Sequence, residues 1–436
     1  MSLSKKYDLE GVIKQKDRTI IEQQRVENAV RELYEKILQK ELLKKQNNQE
    51  KKNSDQEVQN DQKNNNDFVD VDSDEEENED VEFGVLNKEA HGNYLRKALF
   101  DLKFNIRYYD VGHPWVIFWI IHSIYLLNDP CLTIQDEKIL FQLLDFLKQT
   151  QDPMGGFCGG NYQFPHIASS YAAICSLVEL GSEESLSIVD RKGMYNFLLR
   201  CKNPAMKGSF LLCEGGESDM RGVYIAVLIA DILNIITEEL IDGVVDFICS
   251  SQTYEGGIAP EPFGEAHGGL SYCGLAALSI LKKGHRINLN RFTYWLTEKQ
   301  MKTEGGFQGR TNKLVDNCYS FWQGATFRIL NEITGGAASY NNQLLYDQQK
   351  LQAYILLCQE KEGGLYDKPG KFPDLYHTCY SLSGLSSAQR SADNKEEEYF
   401  MNKMISSTKQ INVVYNLPQD KLDFAKSFYS KLPPVK

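Results

Sequence analysis

The sequence predicts an all-α protein that folds as an α/α barrel, or toroid, of about six helical hairpins around an open central cavity. The first observation is a pattern that occurs five times: an amphipathic helix, a polar dyad, two small residues and an apolar residue. The five copies end at Phe157, Phe210, Ile258, Phe307 and Leu365, at intervals of 53, 48, 49 and 58 residues. Periods of this length are typical of repeat architectures, in which each unit buries its apolar face on its neighbours.

The second observation is the helix that follows each copy, which is rich in small and apolar residues, as in residues 270–281. Further helices are predicted within residues 89–150, and the total of about six hairpins favours a closed barrel over an open solenoid. Glycine pairs end one helix of each hairpin and allow the positive backbone angles of the loop that follows. Because the inner helices begin directly after these loops, their polar residues should converge at one mouth of the barrel.

The charge of the chain is concentrated before the repeats. The 436 residues have a net charge of -12 and are 42% hydrophobic. Residues 50–82 contain fourteen Asp and Glu and three Lys, a net charge of -11, so the rest of the chain is nearly neutral. We therefore divide the chain into an N-terminal helical segment (1–45), an acidic insert (46–86) that buries too little apolar surface to fold, and a barrel domain (87–436). An acidic docking tail is the alternative for the insert, and a solvated insert is favoured.

The sequence also limits location and partners. Residues 1–10 lack the features of a secretory signal, and no apolar run reaches the roughly eighteen residues of a membrane span. The ten cysteines are scattered without a CxxC pair, which is typical of free thiols in a reducing compartment. We expect a cytoplasmic protein with no membrane span and no nucleic-acid partner.

Two loops contain a candidate metal site. Asp316 and Cys318 precede one inner helix, at a place where an aspartate is also suited to capping that helix. His377 lies at the start of the next inner helix. A carboxylate, a thiolate and an imidazole on adjacent helices would form a three-ligand zinc set with an open fourth position. The spacing alone is not diagnostic, and a cap, a buried thiol and a core histidine remain the alternative.

The same mouth contains candidates for binding an anion and an apolar chain. Arg310, Lys313, Tyr319 and His267 could together bind a polyanion such as a diphosphate, although each alone is an ordinary surface residue. Six aromatic residues lie just before or early in the inner helices: Trp115, Trp119, Tyr171, Tyr224, Trp322 and Tyr376. They could be plain core, or they could line a pocket for a long apolar ligand.

Long segments of the chain resemble the β subunits of protein farnesyltransferase, in the CaaX protein prenyltransferase family. They include PWVIFWIIHS (114–123), EAHGGLSYCGLAAL (265–278), EGGFQGRTNKLVDNCYSFWQ (304–323) and DKPGKFPDLYHTCYSLSGLS (367–386). The resemblance covers residues 87–390 and the helix around residues 19–37, and residues between them look like an insertion.

The resemblance implies a role for each candidate residue. Asp316, Cys318 and His377 match the zinc ligands, and His267, Arg310, Lys313 and Tyr319 match the residues that bind the diphosphate of farnesyl diphosphate. The isoprenoid pocket is matched by Trp322, Tyr224, Arg221, Tyr171 and Cys273. The surface for the protein substrate is matched by Trp115, Trp119, His166, Ala168 and Tyr376. Asp367 matches a carboxylate associated with magnesium dependence.

The implied activity is transfer of a farnesyl group to the cysteine of a C-terminal CaaX motif, in proteins such as small GTPases. Zinc would hold the substrate cysteine as the thiolate, one Zn²⁺ per β chain, and Mg²⁺ would assist departure of the diphosphate. The family works as an obligate heterodimer with an α subunit, so this chain alone is expected to be inactive.

Three positions bear on selectivity. By resemblance, Trp115 matches the bulky residue that should limit the pocket to fifteen carbons, and Asp367 also favours farnesyl over geranylgeranyl transfer. Leu270 replaces a usual aromatic residue and loosens the pocket wall, and Asn317 replaces a usual Gly between two zinc ligands. The alternatives are the geranylgeranyl β subunits, a terpene cyclase, disfavoured because no DxDD cluster is present, and a non-catalytic helical scaffold.

Overall fold

The computed structural model describes residues 19–36, 39, 85–100, 112–128, 136–393 and 407–435. The chain divides into two units, residues 1–85 and 86–436. In the first unit, residues 19–36 form helix α1, in which the predicted apolar positions Val26 and Val30 are buried. Residues 46–84 of the predicted acidic insert lie outside the described residues, so the three segment boundaries stay a prediction.

The second unit is built from pairs of helices, each with an outer helix followed by an inner one. The outer helices are α2 (Lys88–Phe100), α4 (Glu137–Gln149), α7 (Arg191–Arg200), α10 (Val244–Ser250), α12 (Leu289–Thr297) and α14 (Gln348–Leu357). The inner helices are α3 (His113–Leu127), α5 (Ile167–Leu180), α8 (Met220–Ile232), α11 (Gly268–Ile280), α13 (Tyr319–Ile333) and α15 (Leu375–Ala388). Short helices α6 (Glu183–Ser187) and α9 (Glu238–Ile241), a 3₁₀ turn (Gly284–Arg286), a hairpin of β1 (Ser339–Tyr340) and β2 (Gln343–Leu344), and a last helix α16 (Gln419–Ser430) complete the unit.

The inner helices form a closed ring. Each packs against the next in chain order, and α15 packs against α3 to close the circle. An inner helix such as α8 is buried on nearly every side, which explains its continuous apolar sequence, whereas the outer helix α4 is buried along one stripe only. The predicted all-α barrel of about six hairpins is confirmed.

Among the described residues, five complete mouth loops connect an outer to an inner helix: loops 1 to 5, residues 150–166, 201–219, 251–267, 298–318 and 358–374. In each, the polar residue after the helix pairs as a β-bridge with the apolar residue that closes the sequence repeat, as in Gln151 with Phe157. The glycine between them is sterically required: Gly155 has a φ of 97°, and a Cβ there would lie 1.9 Å from the carbonyl oxygen of Gly193.

Neighbouring mouth loops are joined by backbone hydrogen bonds at the starts of the inner helices. The N–H of Ile167 donates to Leu212 of loop 2, Met220 donates to Pro260 of loop 3, and Gly268 donates to Gly309 of loop 4. Asn317 then donates to Asp367 of loop 5. The loops therefore form a linked rim at one end of the barrel, as the repeat pattern predicted.

Besides the bridge glycine, every mouth loop has a further residue with a left-handed backbone. In loops 1, 2, 3 and 5 this residue lies four positions before the end of the loop, and in loop 4 it lies at the matching place. The five residues are Tyr162, Gly215, Phe263, Asn312 and Gly370. Glycine and asparagine tolerate this conformation, but an aromatic residue does not. Tyr162 and Phe263 are nevertheless fully exposed there, so no packing of their rings compensates for the backbone strain.

A C-terminal strap, residues 407–418, closes the opposite end of the barrel. Lys409 donates its N–H to Leu126 of α3, and its carbonyl accepts from Ser386 of α15. The hydroxyl of Tyr224 donates to the carbonyl of Val414 at 2.7 Å, and that of Tyr272 donates to the carbonyl of Val413 at 2.9 Å. The strap thus connects four inner helices, α3, α8, α11 and α15.

Two expectations about the chemistry of the chain can be compared with the described residues. The nine cysteines among them are unpaired thiols, as the scattered spacing predicted; Cys131 lies outside this part of the chain. In the same part, every helix is too short or too polar to cross a membrane.

Candidate metal centre and binding lumen

The structure brings the three candidate metal ligands together. The Asp316 carboxylate, the Cys318 thiol and the His377 imidazole each offer one ligand atom, and these atoms lie within 4.8 Å of one another. The His377 Nε2 is 3.3 Å from Asp316 Oδ1. Cys318 is buried, whereas Asp316 and His377 remain partly accessible from the mouth.

Local structure positions each of the three, with two differences from the sequence-based interpretation. Helix α13 begins at Tyr319 with Cys318 as its N-cap residue, so Asp316 lies two residues before the cap and accepts the N–H of Cys318 at 2.9 Å. In loop 5 the residue matching Asp316 is Asp374, not His377. His377 lies three residues later, one turn into α15, and reaches the centre from there.

Asp374 fixes the orientation of His377. Its Oδ1 accepts the backbone N–H of His377 at 2.7 Å, and its Oδ2 lies 2.6 Å from the ring Nδ1. When the ring is neutral, with Nδ1–H donating to Asp374, the lone pair of Nε2 is on the side of Asp316, whose Oδ1 is 3.3 Å away. A carboxylate that holds the distal nitrogen of a histidine in this way is the usual support of a metal-binding imidazole.

The protonation of the three groups shows why a cation suits them. Burial works to lower the pKa of His377, but hydrogen bonds to Asp316 and Asp374 outweigh it and raise that pKa to about 9. Burial works to raise the pKa of Asp316, but hydrogen bonds from His377 and Cys318 leave it lowered. Burial, with the charge of Asp316, raises the pKa of the Cys318 thiol well above its usual value. Only a cation at this point would make a thiolate favourable beside Asp316.

A histidine and a tyrosine form a second polar group at the mouth. The His267 Nδ1 accepts the N–H of Gly269 at 3.1 Å, and its Nε2 lies 3.0 Å from the hydroxyl of Tyr319. Burial, with the charge of Arg310, lowers the pKa of His267 to about 4, so the ring is neutral at neutral pH. Its proton is then on Nε2 and donates to Tyr319, which leaves the tyrosine O–H free to donate to a ligand.

Gly309 makes room for this pair. A Cβ on Gly309 would lie 2.1 Å from Cζ of Tyr319, and the glycine carbonyl accepts the N–H of Gly268. Any side chain at position 309 would displace the Tyr319 ring and the link between loops 3 and 4.

The predicted cations lie on the same rim, but two of them already have carboxylate partners. Arg310 pairs with Glu265 at 3.0 Å, and Arg221 pairs with Asp219 through its Nε and Nη2. Lys313 is exposed in the turn that Arg310 opens. Arg221, which the resemblance assigns to the isoprenoid pocket, is half-exposed and lies at the rim.

Aromatic rings inside the barrel make a closed circuit of contacts. In order, they are Trp115, Tyr171, Tyr224, Tyr272, Trp322, Tyr380, Tyr376 and Trp119, with neighbouring ring centroids 4.4 to 6.3 Å apart. Cys273 is buried next to Tyr272 on α11. On the rim, His166 caps α5 by accepting the N–H of Ala168 at 3.1 Å. Six of the residues predicted for the isoprenoid and peptide sites therefore lie in one continuous aromatic wall: Trp115, Trp119, Tyr171, Tyr224, Trp322 and Tyr376.

That wall meets the metal centre at Tyr376. Its hydroxyl accepts the indole N–H of Trp322 at 3.1 Å, and its ring contacts that of His377, with centroids 5.0 Å apart. The aromatic wall and the candidate ligand atoms are therefore adjacent.

Asp367 lies beside the centre and is paired with a neighbour. Its backbone carbonyl accepts the N–H of Asn317 at 2.8 Å and the hydroxyl of Tyr354 at 3.0 Å. Its Oδ2 accepts from the ammonium of Lys368. Burial, with the charge of Asp316, raises the pKa of the Asp367 carboxyl, and Lys368 opposes that rise.

Residues of the site that were missed from sequence include Asp374, Glu265, Lys368, Tyr272 and Tyr380. Tyr272 could have been found from the repeats, because it lies five residues after the end of its mouth loop, as Tyr171 and Tyr224 do. Asp374 also had a signal, since an aspartate three residues before a helical histidine is suited to cap the helix and bind the ring. The partners of Arg310 and Asp367 depend on side-chain directions that no spacing gives.

Comparisons with known proteins agree with this geometry. A model of the prenyltransferase alpha-alpha toroid domain matches residues 86–417. The chain is 39% identical to the protein farnesyltransferase subunit beta of Pisum sativum over 385 residues, covering 74% of this chain and 90% of that one. It is 40% identical to that of Schizosaccharomyces pombe over 304 residues, covering 69% of this chain and 78% of the other.

Among solved structures, the chain is similar to Candida albicans protein geranylgeranyltransferase-I complexed with GGPP. The TM-score is 0.66 at 22% sequence identity, over 79% of this chain and 99% of that chain. At this identity the likeness supports the fold. The family match and the two relatives confirm the resemblance carried by the loop sequences: the chain belongs to the prenyltransferase alpha-alpha toroid family and, within it, to the protein farnesyltransferase β subunits.

Proposed function

We propose that this chain is the catalytic β subunit of a heterodimeric protein farnesyltransferase, which transfers the farnesyl group of farnesyl diphosphate to the thiol of a C-terminal CaaX cysteine. The observation that carries the proposal is the meeting of Asp316, Cys318 and His377 at the end of an aromatic lumen, in a chain of this family. A metal centre, an apolar channel and a group of cations in one place suit a reaction between a thiol and an allylic diphosphate.

Asp316, Cys318 and His377 would hold one Zn²⁺. Their donor set of oxygen, sulfur and nitrogen suits zinc, and Asp374 provides the outer support that zinc-binding histidines use. Bound zinc lowers the pKa of a coordinated thiol, so that the substrate cysteine reacts as the thiolate at neutral pH. Three ligands from the chain leave a position for that sulfur.

The rim residues would receive the leaving group. The substrate sulfur attacks C1 of farnesyl diphosphate, the C1–O bond breaks, and its electron pair leaves with the diphosphate. The free O–H of Tyr319, backed by the neutral His267, donates to this growing charge, and Arg310 and Lys313 supply cations. Arg310 would exchange Glu265 for the diphosphate, because a guanidinium binds phosphate oxygens as it binds a carboxylate.

Asp367 would help to hold Mg²⁺ at the diphosphate. Its Oδ1 is buried and accepts no hydrogen bond from the residues that the structure describes, so one oxygen of the carboxylate remains for a hard cation. Magnesium there would supply positive charge to the departing oxygens.

The aromatic wall would hold the isoprenoid and the end of the protein substrate. Trp322, Tyr224, Tyr171 and Cys273 would line the isoprenoid part, with Arg221 at its rim; Trp115, Trp119, His166, Ala168 and Tyr376 would contact the peptide. Trp115 would also limit the chain to fifteen carbons, while Leu270, only partly buried, makes a smaller wall than an aromatic ring.

The enzyme would require an α subunit, act on CaaX proteins such as small GTPases, and work in the cytoplasm. The relatives from Pisum sativum and Schizosaccharomyces pombe are named as subunits, which supports an assembly of two chains. The unpaired thiols of the nine described cysteines suit a reducing compartment.

Co-expression with a prenyltransferase α subunit, followed by assay of a CaaX peptide with farnesyl and geranylgeranyl diphosphate, tests the proposal. We expect transfer by the heterodimer, none by the single chain, and a higher kcat/KM for the fifteen-carbon donor. Preference for the twenty-carbon donor would contradict the role of Trp115, and an inactive, correctly assembled heterodimer would contradict the proposed function.

A further inference from the structure

We propose that Lys368 is a positioning residue, a built-in counter-ion of Asp367. Its ammonium competes with a divalent cation for the carboxylate and so weakens binding of the cation. This inference rests on the proposed function, because it concerns the carboxylate assigned there to the magnesium site. It assigns a role to a lysine that no motif singled out.

Both side chains of the Lys368–Asp367 ion pair are largely removed from solvent. The Lys368 ammonium is bonded to Asp367 Oδ2, and the side chains of the lysine and aspartate are 10% and 19% exposed. Other ion pairs of the rim are more open, as in Arg310 with Glu265, at 39% and 51%. An enclosed pair is screened less by water and salt than one at the surface, so Lys368 neutralises Asp367 more effectively than a surface lysine would.

Asp367 cannot easily move away from this partner. Its backbone carbonyl is held by Asn317, which lies between two of the candidate zinc ligands, and by Tyr354 of α14. The Asn317 side chain adds a bond of 3.3 Å to the carbonyl of Tyr366 and accepts from Ser320 at 2.9 Å. On the other side, the N–H of Lys371 donates to the carbonyl of Lys368 and closes a tight turn. The carboxylate and the ammonium are therefore fixed next to each other by the backbone.

Only one oxygen of the Asp367 carboxylate is consequently available to a cation. Oδ2 is occupied by Lys368, while Oδ1 is buried and accepts no hydrogen bond from the described part of the chain. A divalent cation at Oδ1 would lie close to the ammonium group, and repulsion between the two positive charges opposes its binding. Oxygens of the diphosphate would offset that repulsion, so that cation binding depends on the presence of the isoprenoid substrate.

Titration of the zinc-loaded heterodimer with Mn²⁺, followed by the electron paramagnetic resonance of the free ion, measures this competition directly. In the presence of farnesyl diphosphate, we expect Lys368→Gln and Lys368→Met to bind Mn²⁺ about five- to tenfold more tightly, as loss of a nearby unit charge in a partly screened site implies. Lys368→Arg keeps the charge and should bind as the unmodified enzyme does.

The matched control is Lys361→Gln, which removes an exposed lysine in the preceding turn of loop 5 and should leave the affinity unchanged. The inference is overturned if both neutral variants of Lys368 bind Mn²⁺ with unchanged or weaker affinity. Asp367→Asn distinguishes that result from failure of the proposed function. If it also leaves Mn²⁺ binding unchanged, the divalent site is not at Asp367; if it weakens binding while the Lys368 variants do not, only the role of Lys368 is wrong.

Discussion

Asp374 is hydrogen-bonded twice to His377, through the backbone N–H and through Nδ1 of the ring. The first bond starts helix α15 and the second chooses the tautomer that points Nε2 at the metal centre. One carboxylate therefore links the fold of the loop to the chemistry of the site.

Asp374→Asn should separate these two roles. Asparagine still caps the helix, but its amide N–H₂ faces the Nδ1–H of His377 and disfavours the required tautomer. We expect zinc to bind about 10- to 100-fold more weakly, the usual effect of losing such an outer partner, measured by competition with a chelator.

Asp347→Asn is the matched control, because Asp347 caps the outer helix α14 by the same bond, to the N–H of Lys350. Its zinc affinity should not change. Equal affinity in both variants would show that the Nδ1 contact does not orient His377.

At the scale of residues, sequence predicted side-chain types better than side-chain partners. Asp316, Cys318 and His377 could be named because few residue types bind metal and all three lie at the starts of adjacent helices. The sequence could not show that Asp374, and not His377, is the residue matching Asp316, because helix starts are read from sequence only to within a few residues. Arg221 was assigned to the isoprenoid pocket by resemblance, but its ion pairs with Asp219 and Glu217 could not be predicted from spacing.

At the scale of elements, the five mouth loops have the same β-bridge and the same left-handed position, although their sequences differ. Each has a left-handed residue at the matching place, and two loops place an aromatic residue there. A bulky residue in this conformation costs about 1–2 kcal/mol relative to one that tolerates it.

Tyr162→Asn should therefore stabilise the protein, by about 0.5–1 kcal/mol in the free energy of unfolding, because Asn is tolerated at the matching position 312 of loop 4. Denaturant titration measures the change. Tyr254→Asn, at an exposed tyrosine of loop 3 outside the left-handed region, should change stability by less than about 0.5 kcal/mol. A loss of stability in Tyr162→Asn would mean that the exposed ring has a stabilising contact.

The elements themselves were largely predictable. The repeat spacing predicted five of the six outer helices and the glycine turns that follow them. In each of the five mouth loops, the polar dyad and the closing apolar residue form a β-bridge. The left-handed position was not predicted, because Tyr162 and Phe263 do not carry the glycine signal that marks it in loops 2 and 5.

At the scale of the molecule, the ring of inner helices is held from both ends, by the linked rim at the mouth and by the strap at the floor. The strap was not predicted from sequence, because several of its bonds join residues more than a hundred positions apart, such as Tyr272 and Val413 at 2.9 Å.

Tyr272→Phe should destabilise the protein by about 1–3 kcal/mol, because it leaves the buried carbonyl of Val413 without its donor. Denaturant titration, with limited proteolysis at residues 407–418, measures the loss. Tyr294→Phe, on the exposed face of α12, is the control and should be neutral. Unchanged stability and proteolysis in Tyr272→Phe would show that the strap is held by apolar packing alone.

The central claim is that two neighbouring mouth loops place three side chains around one zinc ion. Anomalous diffraction from crystals of the heterodimer at the zinc absorption edge tests it most directly, together with Cys318→Ala and the control Cys213→Ser, a cysteine of loop 2. The account predicts one zinc peak between Asp316, Cys318 and His377, retained in Cys213→Ser and lost with turnover in Cys318→Ala. An active enzyme with no zinc peak at this position would contradict it.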